Sequence, residues 1–257
     1  MNLLPAGFTL VETLVAVVLT LVLAGLMTRT VSDASALWRL HSARLDTFSE
    51  ARAALQKISR DLASAQAFPE ATRDMAVLCI RPHPQKAADA PPGLEFTLLA
   101  QTPASGQSDI RAVGYFCAWD STLNGPVLRR QTAPAAATAE ALRNLRPEEA
   151  HFFPWNLLPR DAPSEVLAQF AWDLRVQTPG PTGAPEPAGG LSFNRELPRW
   201  IEIRFKAVSP SALNSVGAFP QNALAWQTGP LGWGGSPLQR LLLRHTREFA
   251  TRIPLVP

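Results

Sequence analysis

Gly7-Phe8-Thr9-Leu10-Val11-Glu12, followed by apolar sequence as far as Met27, is the stretch whose reading decides the fold. From Phe8 to Met27 the only ionisable residue is Glu12. At about 1.5 Å per residue, a helix of these twenty residues spans the roughly 30 Å hydrocarbon core of a bilayer. A carboxylate in that setting costs on the order of 2.5–3.5 kcal/mol on insertion scales, so it needs a partner. The segment holds no Lys or Arg to serve as one. If the chain is cut between Gly7 and Phe8, the new α-ammonium of Phe8 on a neighbouring copy can neutralise Glu12. A helix that assembles with others after processing is the chemical expectation.

The same residues resemble the type IV prepilin leader motif, in which a glycine precedes Phe, Thr, Leu, Val and Glu and then an apolar run. The resemblance implies that a prepilin peptidase cuts after Gly7 and N-methylates Phe8, and that Glu12 serves subunit docking. It also implies partners: other pilin or pseudopilin subunits through the N-terminal helix, and the inner membrane. The leader Met1–Gly7 departs from the pattern in having no Lys or Arg. The positive-inside rule therefore encodes orientation weakly. A secretory signal peptide fits less well, because the apolar run is too long and the small-residue site lies before it rather than after. A plain signal anchor accounts for the length and leaves Glu12 unexplained.

Proline is absent from Phe8 to Phe68 and then appears at Pro69, so one long helix is expected over that span. Its second half is amphipathic. Phe48, Ala51, Leu55, Ile58, Leu62 and Ala65 recur at alternating spacings of three and four and share a stripe. Arg52, Lys57, Arg60 and Asp61 are expected elsewhere on the helix surface. The stripe covers under three heptads and has no sustained flanking charge pattern, which favours packing on a sheet over a coiled coil.

The chain has 257 residues, and about 230 remain after the apolar segment, enough for one sizeable core. Its 24 prolines and 15 glycines gather mainly after residue 68 and favour strands and turns there. Strands are expected at Ala76–Arg81, Leu94–Leu99, Ile110–Trp119, Val127–Gln131, Val166–Val176 and Trp200–Val208. A hairpin is expected through Asn124-Gly125-Pro126, and a short surface helix between Ala133 and Leu145. Pro179 to Pro187 reads as a flexible tip, and Leu238–Leu255 as a last strand or a helix then a strand. In Trp200–Val208, Ile201, Ile203, Phe205 and Ala207 are expected inward, with Glu202, Arg204 and Lys206 outward, the mark of an antiparallel sheet. The expected class is α+β, a long N-terminal helix packed on an antiparallel β-sheet head. The pilin fold has the same plan. The expected segments are a leader 1–7, a membrane or filament-core helix 8–28, an amphipathic continuation 29–68 and a head 69–257.

Net charge is only +3 and the basic residues are dispersed, which weighs against a nucleic-acid partner. Arg129-Arg130 and the arginines from Arg240 to Arg252 read as a solvated rim. Cys79 and Cys117 would lie outside the cytoplasm, where a disulfide between them is permitted; two separate buried thiols is the other reading. His41, His83, His151 and His245 are scattered without metal-ligand spacing, and no nucleophile elbow, phosphate loop or dinucleotide fingerprint occurs. The sequence points to no cofactor, no metal and no enzyme. Trp200, Trp226 and Trp233 read as core residues before they read as a binding surface.

Within the prepilin-like family, Ala51 to Leu62 is similar to the region after the membrane helix in J-type minor pseudopilins of type II secretion and W-type minor pilins. Ala112-Val113-Gly114-Tyr115-Phe116 and the stretch around Trp38-Arg39 resemble the pilin-like C proteins of Verru_Chthon cassettes. The expected role is a minor subunit of a secretion pseudopilus or type IV pilus, held in the inner membrane by a single pass with its head outside. A DNA-binding or adhesive minor pilin whose head binds a ligand is the alternative, and a single-pass membrane-anchored protein of unknown activity the remote one.

Overall fold

The computed structural model describes residues 9–65, 77–82, 94–104, 107–144, 158, 163–180, 185–187, 191–193, 197–210 and 245–255. The chain forms two compact units, Met1–Arg44 and Leu45–Pro257. Helix α1, Leu10–Ala65, is 56 residues long and runs through the boundary. The class is therefore α+β, a long apolar N-terminal helix followed by antiparallel sheets.

In the first unit the helix starts at a cap. The Thr9 hydroxyl accepts the Glu12 backbone N–H at 3.3 Å, and the Thr9 carbonyl accepts the Thr13 N–H at 3.2 Å. Ser or Thr three residues before Glu is the sequence pattern of a helix start, because it satisfies donors that lack a turn above them. Every large side chain from Leu10 to Met27 is about half exposed or more. The most apolar stretch has a mean hydropathy of 2.4 and is entirely unburied, so this one helix is long and apolar enough to cross a membrane.

In the second unit the strands are β1 Leu78–Pro82, β2 Leu94–Ala104, β3 Gln107–Asp120, β4 Gly125–Thr132, β5 Ser164–Gln169, β6 Ala171–Pro179, β7 Pro185–Pro187, β8 Leu191–Phe193, β9 Trp200–Val208 and β10 Thr246–Pro254, with helix α2 at Ala135–Asn144. They form two sheets rather than one. The larger has the order β5-β4-β3-β2-β1-β8 and the smaller β10-β9-β6-β7. All pairings described are antiparallel.

The division falls inside the span expected as one strand, 166–176. Phe170 adopts φ 50° there, and β5 ends in one sheet while β6 begins the other. A bulky residue with positive φ is costly and needs support. The buried ring and the bond from the Val208 N–H to the Phe170 carbonyl at 3.2 Å supply it. The expected tip at Pro179–Pro187 is also partly ordered, since β7 pairs with the end of β6. Prolines are tolerated in so short a terminal strand.

The stripe on α1 is buried as its spacing demands. Ala51, Leu55, Ile58, Leu62 and Ala65 join Leu78, Ile80, Phe96, Leu98 and Tyr115 of the larger sheet and Ile201, Ile203 and Phe205 of the smaller in one core. Burying Ile58 and Leu62 contributes on the order of 1.5–3 kcal/mol each. Phe48 extends the stripe onto β10, its ring 5.7 Å from that of Phe249. The reverse face of the larger sheet carries a smaller cluster of Leu99, Ala112, Ala133 and Leu158, with Leu142 of α2 against it. Gly114 permits this approach. A Cβ there would stand 2.8 Å from Leu158 Cδ1 and 3.1 Å from Thr97 Cγ2.

The β3–β4 hairpin turns at residues 121–124, and Gly125-Pro126, expected in the turn, already belongs to β4, which starts two residues earlier than expected. Asp120 builds the turn by accepting the Thr122 and Leu123 N–H groups at 2.9 and 3.1 Å. Those bonds and Arg129 hold its carboxyl below the usual range, the Leu123 N–H most strongly. Strand β9 has the expected bounds, and its four inward residues are buried. Glu202, expected in water, is 5% exposed beneath two arginines. The terminal segment ends in β10, paired along its whole length with β9.

Candidate functional site

The residues singled out at the N-terminus divide between described and undescribed parts. Gly7 and Phe8 lie outside the described residues; Glu12 lies in the first turn of α1 and is exposed. Its backbone N–H is used by the Thr9 cap, whereas its carboxylate pairs with no cation among the described residues. A carboxylate near a helix N-terminus gains about 0.3–1 kcal/mol from the helix dipole. The cost of about 2.5–3.5 kcal/mol on insertion scales applies to the centre of a span, so in the first turn the dipole offsets part of a smaller cost.

The other polar groups of the apolar segment are satisfied internally. Thr13 Oγ1 donates to the Leu10 carbonyl at 2.9 Å, and Thr20 and Thr28 donate to the carbonyls four residues back at 2.8 Å. Glu12 is followed at intervals of four by Ala16, Thr20, Ala24 and Thr28. Small residues in that spacing let helix backbones approach closely in a membrane.

The second half of α1 is fixed to the head by a polar group that sequence reasoning missed. Asp61, expected on the helix surface, is 8% exposed. The Tyr115 hydroxyl on β3 donates to its Oδ2 at 2.5 Å, and Arg130 Nε on β4 donates to the same oxygen at 2.8 Å. Arg130 also donates to Thr132 Oγ1 at 2.8 Å. Lys57, one turn before Asp61, pairs with Glu165 of β5 at 3.0 Å. Glu50 accepts the Gln169 N–H at 3.2 Å, which ties the helix to the other end of β5. Burial foremost, then the adjoining Asp61 charge, pushes the Tyr115 hydroxyl far up, so it remains a donor at any physiological pH. Arg130 is desolvated, yet its bonds to Asp61 and Tyr115 outweigh that and raise it further. Asp61 lies three residues from both Ile58 and Ser64, on the flank of the apolar stripe. The periodicity that reveals the stripe does not report a charge seated at its margin.

The two cysteines are not joined. Cys117 belongs to the main core, whereas Cys79 packs with the cluster on the reverse face of the same sheet. Pleating sends neighbouring side chains to opposite faces, and here the sheet itself separates the thiols. Of the two readings the structure has separate thiols, Cys117 buried and Cys79 half-buried. Burial pushes the Cys117 thiol up to about 12, so it is inert.

Several of the described basic residues pair with carboxylates. Arg129 meets Asp120, Arg130 meets Asp61, and Arg252 donates to Glu202 at 2.8 Å while stacking 4.4 Å above the Trp200 ring. Arg240, Arg244, Trp226, Trp233, His83 and His151 lie outside the described residues. Among the described residues no group of three or more His, Cys, Asp or Glu is placed to hold a metal. No protein-family model matches the sequence, and no curated protein is similar to it.

Proposed function

We propose that the protein is a prepilin-like subunit, processed after Gly7 and N-methylated on Phe8. In this reading it is a minor component of a type II secretion pseudopilus or type IV pilus, not an enzyme. The observation that carries it is the unburied apolar stretch of α1 up to Met27, whose only ionisable group, Glu12, has no partner among the described residues. A neighbour's new N-terminal ammonium has the charge and the position in sequence to fill that vacancy. The prepilin peptidase and companion subunits are then the partners. The inner membrane holds the single span before assembly, and the head lies outside.

The test is Glu12→Leu in cells that carry the cognate machinery. Membrane fractions should hold the variant at wild-type levels, and sheared filaments or crosslinked pseudopili should contain little of it. Equal incorporation of variant and wild type sinks the role given to the carboxylate.

A further inference from the structure

The outer face of the smaller sheet carries a cleft that helix assembly does not use. It has a volume of about 140 Å³ and is lined by Asp173, Arg175, Gln177, Arg204, Lys206 and Glu248 together with Phe205. A space of this size admits several waters or one group of monosaccharide size.

Three features make the cleft unlike an ordinary solvated face. Arg175 and Arg204 are direct cross-strand partners, an arrangement that like charges disfavour. A bulge between Trp172 and Arg175 breaks the β6–β9 pairing, and Asp173 within it takes φ 57°. Bulges re-aim side chains, and this one seats the Asp173 carboxylate between Arg175 Nε at 2.8 Å and Lys206 Nζ at 2.7 Å. Finally, the Gln177 Oε1 atom is buried without a hydrogen-bond partner among the described residues. An orphaned acceptor is costly and marks a place for a donor.

The charges do not cancel. Arg204 is shared by Glu202 and Glu248, and Arg252 also rests on Glu202. With Arg175, Lys206 and Asp173 included, four cations stand against three carboxylates among the described residues of this face. Guanidinium groups recognise planar carboxylates through paired N–H donors. We infer that the cleft binds a small hydroxycarboxylate of uronic-acid size, its carboxylate on Arg175 and Arg204 and a hydroxyl donated to Gln177 Oε1. This goes beyond the assembly role and does not depend on N-terminal processing.

Titration of the full-length protein in detergent with glucuronate, glucose and acetate, read by saturation-transfer NMR, tests the site. Glucuronate should bind saturably. Glucose, lacking the carboxylate, and acetate, lacking the hydroxyl, should each bind at least about tenfold more weakly. Arg175→Gln should weaken glucuronate about tenfold or more, and Gln177→Leu should weaken glucuronate while leaving acetate unchanged. Both positions lie on the outer face, and unaltered thermal unfolding by circular dichroism shows that the variants fold. No saturable binding of glucuronate, equal binding of any two probes, or indifference to Arg175→Gln overturns the assignment.

Discussion

Replacing Asp61 by alanine tests the attachment of helix to head. The carboxylate accepts from Tyr115 and Arg130 at 2.5 and 2.8 Å, and the side chains of Asp61 and Arg130 are 12% and 13% exposed. Removing one partner of a buried ion pair costs about 3–5 kcal/mol, because the other charge is left behind. Arg130 keeps its bond to Thr132 Oγ1 and has Glu165 3.9 Å away, which reduces its loss. The fully buried Tyr115 hydroxyl retains only its 3.3 Å contact with Arg130 Nε. Asp61→Ala should therefore cost about 2–4 kcal/mol, and Tyr115→Phe, which removes one bond to a charged acceptor, about 1.5–3 kcal/mol. Because both act on one network, the double variant should lose less than the sum, by about 0.5–3 kcal/mol. Urea unfolding of the detergent-solubilised chain, followed by tryptophan fluorescence, measures all three. A surface aspartate changes stability by within about 0.5 kcal/mol. That result for Asp61→Ala, or strict additivity with Tyr115→Phe, would falsify the buried attachment.

Acid should loosen the smaller sheet through Glu202. Burial raises its carboxyl, but the bonds from Arg252 and Arg204 outweigh this and hold it below the usual range. A depressed folded value stabilises above the unfolded one, so the contribution is full at neutral pH and fades below about pH 4.3 as the carboxylate protonates. Glu202→Gln should cost about 1–2 kcal/mol at pH 7 and little at the acid end, and identical pH profiles for variant and wild type would count against the pairing. Intact-mass analysis after mild oxidation should find no bond between Cys79 and Cys117, and Cys117 should resist alkylation until the chain is unfolded. A recovered Cys79–Cys117 peptide would contradict the opposed placement of the thiols.

How much was legible in the sequence follows from how local each signal is. The stripe from Phe48 to Ala65 and the alternation of Trp200–Val208 are periodic, and burial follows both. Glu12 was legible because a lone carboxylate stands out in an apolar run. The split of the head into two sheets was not, because it turns on the backbone of Phe170, whose side chain fits a continuous strand equally well. Asp61 and Glu202 were misplaced for a common reason. Polar residues at alternating or flanking positions read as solvated, and only distant partners reveal otherwise: Tyr115 and Arg130 for the first, Arg252 for the second. The separation of Cys79 from Cys117 depends on strand facing, and cysteine spacing carries no such information.

The proposed processing fixes the first residue of the mature chain. Mass spectrometry of the protein made in cells with its own prepilin peptidase reads that residue directly. The expected product begins at N-methyl-Phe8, and Gly7→Ala should abolish it. Wild-type protein that retains Met1 through Gly7 in the presence of active peptidase would contradict the proposed processing and, with it, the partner assigned to Glu12.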